Sequence, residues 1–299
     1  MKKPFEYLTK DTQKIVIRKF AFRFPDDLDP MWIPHNRVRS HLFNGLSLTM
    51  PYLEPYLIKS IQAATEFIAH KELLEDMRGF NGQEARHYQC HRRLNELLKT
   101  NGYPELSGVE KGLANGFSKL IKRSLRTQLA YNAGFECMTN GFTHWLITKR
   151  KALFKNASPP VTSFWLMHMV EETEHKTVAF DAYMAYSGQY WPRAFGVFHG
   201  TLHIWGWGLV GMFTGLKKDK LLQRPSTWLS AAKEIGCALV NVGPFILRAL
   251  APSFNPRQES DPQWYEDWIS GHANLENDDE LPLIDTAHPE MPVPFAKAA

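Results

Sequence analysis

Apolar residues recur at helical spacing over most of the chain. The loop signal "KNASPP", with Asn156, Ser158 and two prolines, predicts a helix start, and the spacing then continues through "TVAFDAYMAYSG" to Gly188. A long preceding helix is expected from about Gly112 to Lys151, carrying "LAYNAGFECMTNGFTHWLI". Two earlier helices flank a break at "AHKEL", near 69–73, and the second ends near "TNGYPEL". Downstream, 194–216 has no formal charge over 23 residues, the length of a membrane span, but holds six glycines and two histidines. The division expected is therefore an irregular wrapping segment over 1–45 and a helical bundle over 46–188. An apolar helical cap or hairpin over 189–250 and an acidic, proline-rich tail over 251–299, an extended strap or a mobile one, complete it.

One stretch breaks the apolar pattern. "HMVEETEHK", from His168 to Lys176, sets three acids and two histidines in the middle of a helix. At about 100° per residue, His168, Glu172 and His175 share an arc of roughly 60°. Glu171 lies at its margin, and Glu174 points away, to solvent or a neighbouring cation. A solvated face explains acids but not two imidazoles bracketing a carboxylate. Glu-x-x-His is the spacing by which one helix offers an oxygen and a nitrogen to a metal. "GQEARHYQCHRRLNEL" repeats it at Glu84 and His87, with His91 one turn on.

Bundles that hold two metal ions add one glutamate from each of two further helices. Glu136 is the only charged residue between Arg126 and Lys149, and a lone carboxylate in apolar surroundings is costly unless something positive meets it. In antiparallel helices, residues equally far from the turn lie side by side. The midpoint of Glu136 and Glu172 is about 154, at the edge of "KNASPP". For the fourth helix the candidates are Glu54 and Glu66. The midpoint with Glu84 favours Glu54, although Pro55 would set Glu54 near a helix start, where capping is its alternative role.

The stretches "VIRKFAFRFPDDLDPMWIP", "NGLSLTMPYLEPYLIKSIQ", "FNGQEARHYQCHRRLN", "WLMHMVEETEHKTVAFDAY" and "APSFNPRQ" together resemble the predicted metal-dependent hydrolases. The glutamate of that family's P-x-G-E motif matches Glu54, with Leu53 in place of the glycine and Pro55 in place of the usual basic residue. The pattern His-x-x-x-Glu-x-x-His is similar to a ligand helix of the di-iron arylamine N-oxygenases. That likeness covers the ligand pattern alone. It implies Glu54, Glu84, Glu136 and Glu172 as carboxylate ligands and His87, His168 and His175 as imidazole ligands. His91, Glu171 and Glu66 stand in reserve.

The expected protein is thus all-α, a ferritin-like four-helix bundle with a di-metal site and an apolar helical C-terminal extension. Four carboxylates balance two ferrous ions. Mixed carboxylate and imidazole donors suit iron, or manganese, better than zinc. The expected function is a di-iron oxygenase that oxidises a small hydrophobic substrate with dioxygen and an external electron donor. The alternatives are a metal-dependent hydrolase, whose metals lower the pKa of a bound water to about 7, and a non-catalytic metal-binding bundle.

Composition alters this little. With 35 basic and 31 acidic residues and a net charge of +4, nucleic acid is not an implied partner. Three cysteines without a CxxC pair suggest reduced thiols, and the first residues lack an apolar signal core, so a cytoplasmic location is expected. Membrane-surface association through 194–216 is the rival. His199 and His203, four apart with no carboxylate near them, read as core or interface histidines rather than a second ligand pair.

Overall fold

The computed structural model describes residues 5, 7, 15–19, 22–272 and 283–293. Among these the regular structure is all helical: α1 Arg37–Ala64, α2 Lys71–Thr100, α3 Leu106–Leu120, α4 Leu125–Phe154, α5 Pro159–His175, α6 Val178–Tyr186, α7 Tyr190–Lys218, α8 Pro225–Ala249 and α9 Gln263–His272. Two antiparallel pairs, α1 with α2 and α4 with α5, turn at 65–70 and 155–158. These turns lie where the glutamate midpoints place them. Part of the tail, 273–282, lies outside the described residues, as does most of the stretch in which a signal core was sought.

The helix ends follow local chemistry. The Asn36 side chain accepts the Arg39 N–H at 2.9 Å and starts α1, inside the stretch expected to be irregular. α1 then runs straight through Pro51 and Pro55, so Glu54 sits mid-helix and not at a helix start. A proline supplies no N–H to the carbonyl four residues earlier. For Pro51 that carbonyl belongs to Ser47, and the Asn95 amide on α2 donates to it at 3.0 Å. The lost bond is replaced by a contact between helices.

The expected helix from Gly112 to Lys151 is two helices. Ser124 opens α4 by accepting the Thr127 N–H, and the Gln128 amide donates to the carbonyls of Ile121 and Arg123, which α3 leaves without helical partners. The helix of the acidic stretch is also shorter than expected, because α5 ends at His175 and α6 begins at Val178. At the break, Lys176 reaches the Glu259 carbonyl at 2.7 Å and the Asp261 carboxylate. Gly188, with φ of +59°, closes the chain after α6.

α7 lies along both α1 and α4, and glycine makes this approach possible. A Cβ on Gly208 would lie 2.7 Å from the Leu46 side chain, and one on Gly196 would lie 1.9 Å from the Ala130 carbonyl oxygen. The glycines of 194–216 are thus mostly the inward packing face of a covering helix. Among the described residues, the helix long and apolar enough to cross a membrane is α8, not 194–216. α8 packs on α4 along one side only, with Ala231, Ala238 and Val242 buried and Phe245 set against Gly141 and His144. The tail contributes α9 and a strap, in which the Ile284 N–H donates to Ser163 and the Thr286 hydroxyl to the Ala157 carbonyl.

Candidate metal centre

Four helices point chemistry at one interior place. α1 brings Glu54, α2 brings Glu84 and His87, α4 brings Glu136, and α5 brings His168, Glu172 and His175. All seven side chains are buried. Their donor atoms form overlapping groups within 4.8 Å: Glu84, Glu136, Glu172 and His175; His87, His168 and Glu172; and Glu54, Glu84 and His87. Glu172 spans the centre. One of its oxygens lies 2.9 Å from His168 Nε2 and the other 3.1 Å from His175 Nε2.

The remaining nitrogen of each imidazole is held from behind, and the partners fix which atom donates. Ser47 Oγ donates to Asn95 Oδ1 at 2.7 Å, so it accepts from His91 Nδ1 at 2.8 Å. His91 Nε2 then carries a lone pair and accepts from His168 Nδ1 at 3.0 Å. Gln83 donates its amide N–H groups to the Val16 carbonyl and to Glu174, so its oxygen accepts from His175 Nδ1 at 2.8 Å. The Glu171 carboxylate accepts from His87 Nε2 at 2.7 Å. Each inward nitrogen is left with a lone pair, or with a second proton that a metal ion displaces. Such support behind an imidazole sets its tautomer and orientation.

Behind these partners stands Arg18 from the N-terminal segment. Its guanidinium donates to Glu171 at 3.1 Å and to Glu174, and it lies over the Trp268 ring. This divides the labour of the three acids between His168 and Lys176. Glu172 faces the centre and Glu171 holds His87. Glu174 is buried on the cation Arg18 rather than in solvent.

The reserve candidates separate as clearly. His91 is buried and adjoins Glu54 and His168, but both its nitrogens are engaged, so it orients His168. Glu66 is exposed in the turn after α1 and joins none of these groups, whereas Glu54 lies among them. His203 Nδ1 pairs with the Tyr131 hydroxyl at 2.9 Å, and burial pushes its pKa down to about 4. No carboxylate joins it and His199 in a ligand group among the described residues.

Electrostatics test whether the centre suits cations. Both oxygens of Glu54, Glu84 and Glu136, together with His87 Nδ1, are buried without a hydrogen-bond partner among the described residues. So many unpaired acceptors in one interior place carry a large penalty unless cations meet them. Burial, reinforced by the Glu172 charge, holds Glu54, Glu84 and Glu136 well above the ordinary carboxylate range. Burial would raise Glu172 as well, but the imidazoles of His175 and His168 hold it below that range. Burial and the neighbouring His168 lower His87 and His91, which favours the neutral rings and leaves a lone pair on His87 Nδ1. The residues present fit a metal.

Beside Glu172 and His168 lies a small chamber of about 20 Å3, walled by residues including Met138, Phe142, Trp165, Met169 and Trp205.

A family model described as "predicted metal-dependent hydrolase" matches residues 16–260. The chain belongs to that family. No curated protein and no solved structure matches it. The family overturns the expected di-iron oxygenase and favours the hydrolase alternative. The likeness to the arylamine N-oxygenases finds no support. Its ligand spacing could not separate the two reactions, because carboxylates and imidazoles around paired ions serve both. A hydrolase needs neither dioxygen nor an electron donor. Family and geometry together make this a metal-dependent protein with an enzyme's description.

Proposed function

We propose that the chain is a metal-dependent hydrolase in which Glu54, Glu84, Glu136, Glu172, His87, His168 and His175 hold two divalent ions. The observation that carries this reading is the set of buried carboxylate oxygens without hydrogen-bond partners among the described residues, facing three imidazoles braced from behind. Four carboxylates neutralise two divalent ions, and oxygen with imidazole suits iron or manganese. When bound, such ions would lower the pKa of a water to about 7 and polarise a substrate carbonyl.

The rest is the work of the chain's own residues. Glu172 turns one oxygen to each half of the centre. Met138, Phe142 and Trp165 shut out bulk water, and the chamber has room for about one water molecule. Thr139 lines it too, but its hydroxyl donates to the Phe135 carbonyl at 3.1 Å. The Trp165 indole N–H has no hydrogen-bond partner among the described residues, and we assign it as the donor to a substrate carbonyl oxygen. The apolar lining favours a hydrophobic ester or amide, whose entry must open the chamber beyond its single-water volume.

Protein purified without added metal should contain about two divalent ions per chain, in keeping with bundle sites of this kind. It should hydrolyse aryl or acyl esters without oxygen, lose this activity on chelation and regain it with metal. A protein that holds its full metal complement and cleaves no ester or amide in an anaerobic panel would overturn the reading.

A further inference from the structure

α7 and α8 touch little along their length, and a groove of about 260 Å3 opens between them. Leu202 and Leu209 on α7, with Ile235, Leu239, Val242 and Ile246 on α8, line it. Gly206 and Gly243 also border it, and a Cβ on either would meet no atom within 4 Å. Trp205 is the wall it shares with the chamber beside Glu172 and His168. The Trp205 indole donates to Met138 Sδ at 3.4 Å, and its ring packs edge-on against Phe142.

The outer surface of the same two helices is apolar. Leu202, Leu229, Val240 and Leu247 are 69% to 75% exposed, and Phe195, Phe198 and Trp228 are also exposed. Apart from Arg193, which is buried on the Ala249 and Ala251 carbonyls, the bases face outward and the acids inward. Lys217, Lys218, Lys220, Arg224, Lys233 and Arg248 face solvent. The acids Asp219 and Glu234 turn inward, Asp219 to His41 and Tyr103 and Glu234 to Arg39 and Asn36. Lys218 pairs with Glu105 and Arg248 with Glu259. Lys217, Lys220, Arg224 and Lys233 form no ion pair among the described residues, and three of them cluster at the α7–α8 turn near Trp228. An apolar face with a tryptophan and unpaired cations at its border complements an anionic bilayer surface. A protein partner rich in acids would match the cations but would leave the long apolar stretch and the open groove without a counterpart.

We propose that the α7–α8 face docks on an anionic phospholipid bilayer and that the groove takes one acyl chain, directed past Trp205 towards the metal centre. The groove is near the lower limit of small-ligand sites, room for a single chain rather than a headgroup. This deepens the hydrolase reading, because it names the substrate class as an acyl-chain ester or amide drawn from a membrane. The hairpin lies on the surface and does not cross it, since one side of α8 is committed to α4.

The test uses the full chain. It should sediment with vesicles of phosphatidylcholine and phosphatidylglycerol, weakly or not at all with phosphatidylcholine alone, and less as salt rises. Leu239→Asp with Val240→Asp, both at exposed positions, should cut binding at least tenfold. Lys220→Glu with Arg224→Glu should remove the preference for anionic vesicles. A spin-labelled stearate should give an immobilised spectrum with the wild type. Gly206→Leu with Gly243→Leu should abolish that spectrum while vesicle binding and the circular dichroism spectrum persist. Absence of sedimentation with anionic vesicles, equal sedimentation with both vesicle types, or retention of the probe by the filled groove would overturn the proposal. A dimer that Leu239→Asp with Val240→Asp dissociates, in a protein that ignores vesicles, would assign the face to a second copy instead. These readouts are all binding, so a lack of hydrolysis would strike the proposed function and leave them standing.

Discussion

The interior around Glu172 and the outer face of α7–α8 invert the usual arrangement in opposite directions. At the first, four carboxylates and three imidazoles are buried. At the second, leucine, valine, phenylalanine and tryptophan face outward. Either inversion costs stability in an isolated chain, and each is informative because scattered exposed leucines are not. The two differ in how they are made tolerable. The polar interior is braced by a second layer of side chains, Arg18, Gln83, Ser47, His91, Asn95 and Glu171, and still leaves its innermost oxygens unpaired. The apolar exterior has no such layer among the described residues. The first is shaped for cations, and the second is where we place the bilayer.

The largest effect should come from withdrawing those cations. Chelation should lower the melting temperature by roughly 10 °C, since each of two ions at about a thousandfold over its Kd contributes around 4 kcal/mol. Glu172→Ala should lose metal outright, because both halves of the centre share that side chain. Calorimetry with metal analysis checks both. An unchanged melting temperature in the chelated protein would show that the interior needs no ion.

Next comes the dependence on pH. Glu54, Glu84 and Glu136 are raised, so at a given pH they hold more protons than ordinary carboxylates, and metal must displace those protons. Metal affinity should therefore rise with pH, by about tenfold per unit for each proton released. Titration calorimetry in buffers of different ionisation enthalpy counts those protons. Uptake without proton release would show that the carboxylates are already ionised.

The bracing layer should matter less than the ligands it supports. Removing a group that orients a ligand costs about 10- to 100-fold in metal affinity or activity. His91→Ala and Gln83→Ala should fall in that range and keep two ions per chain. If His91→Ala instead loses one ion, His91 is a ligand and the Ser47–His91–His168 chain has been misassigned. Arg18→Ala should act on His87 through Glu171, and also loosen the N-terminal segment.

This layer is also where the sequence was hardest to read. Glu84 with His87, and Glu172 with His175, are legible because one helix face fixes their spacing. Glu136 shows as a lone charge in an apolar run, and the two turns place Glu54 and Glu136 opposite their partners. The bracing contacts carry no such local period. Arg18 meets Glu171 and Glu174 across 153 and 156 positions, and Ser47 meets His91 across 44. The available hints were a glutamine beside Glu84 and an asparagine one turn past His91. The breaks at Ser124 and after His175 were missed for a related reason. Apolar spacing continues across both, while the ends are set by capping side chains and by the distant contacts of Lys176.

The smallest effect separates two glycines of α7 that spacing alone cannot tell apart. Gly208 and Gly206 lie in one apolar stretch, yet a Cβ on Gly208 would meet Leu46 at 2.7 Å and one on Gly206 would meet nothing. At Gly208 the Leu46 side chain, or the helix behind it, must give way, and such overpacking costs about 1–3 kcal/mol. At Gly206, alanine fits a helical backbone and reduces the freedom of the unfolded chain, a gain of about 0.4–1 kcal/mol. Gly208→Ala should therefore lower the denaturant midpoint, and Gly206→Ala should raise it slightly, with unchanged m-values in both. Equal and small shifts would mean that α7 rests loosely on α1. In that case Trp205, on the same helix, would have no defined place between the groove and the chamber.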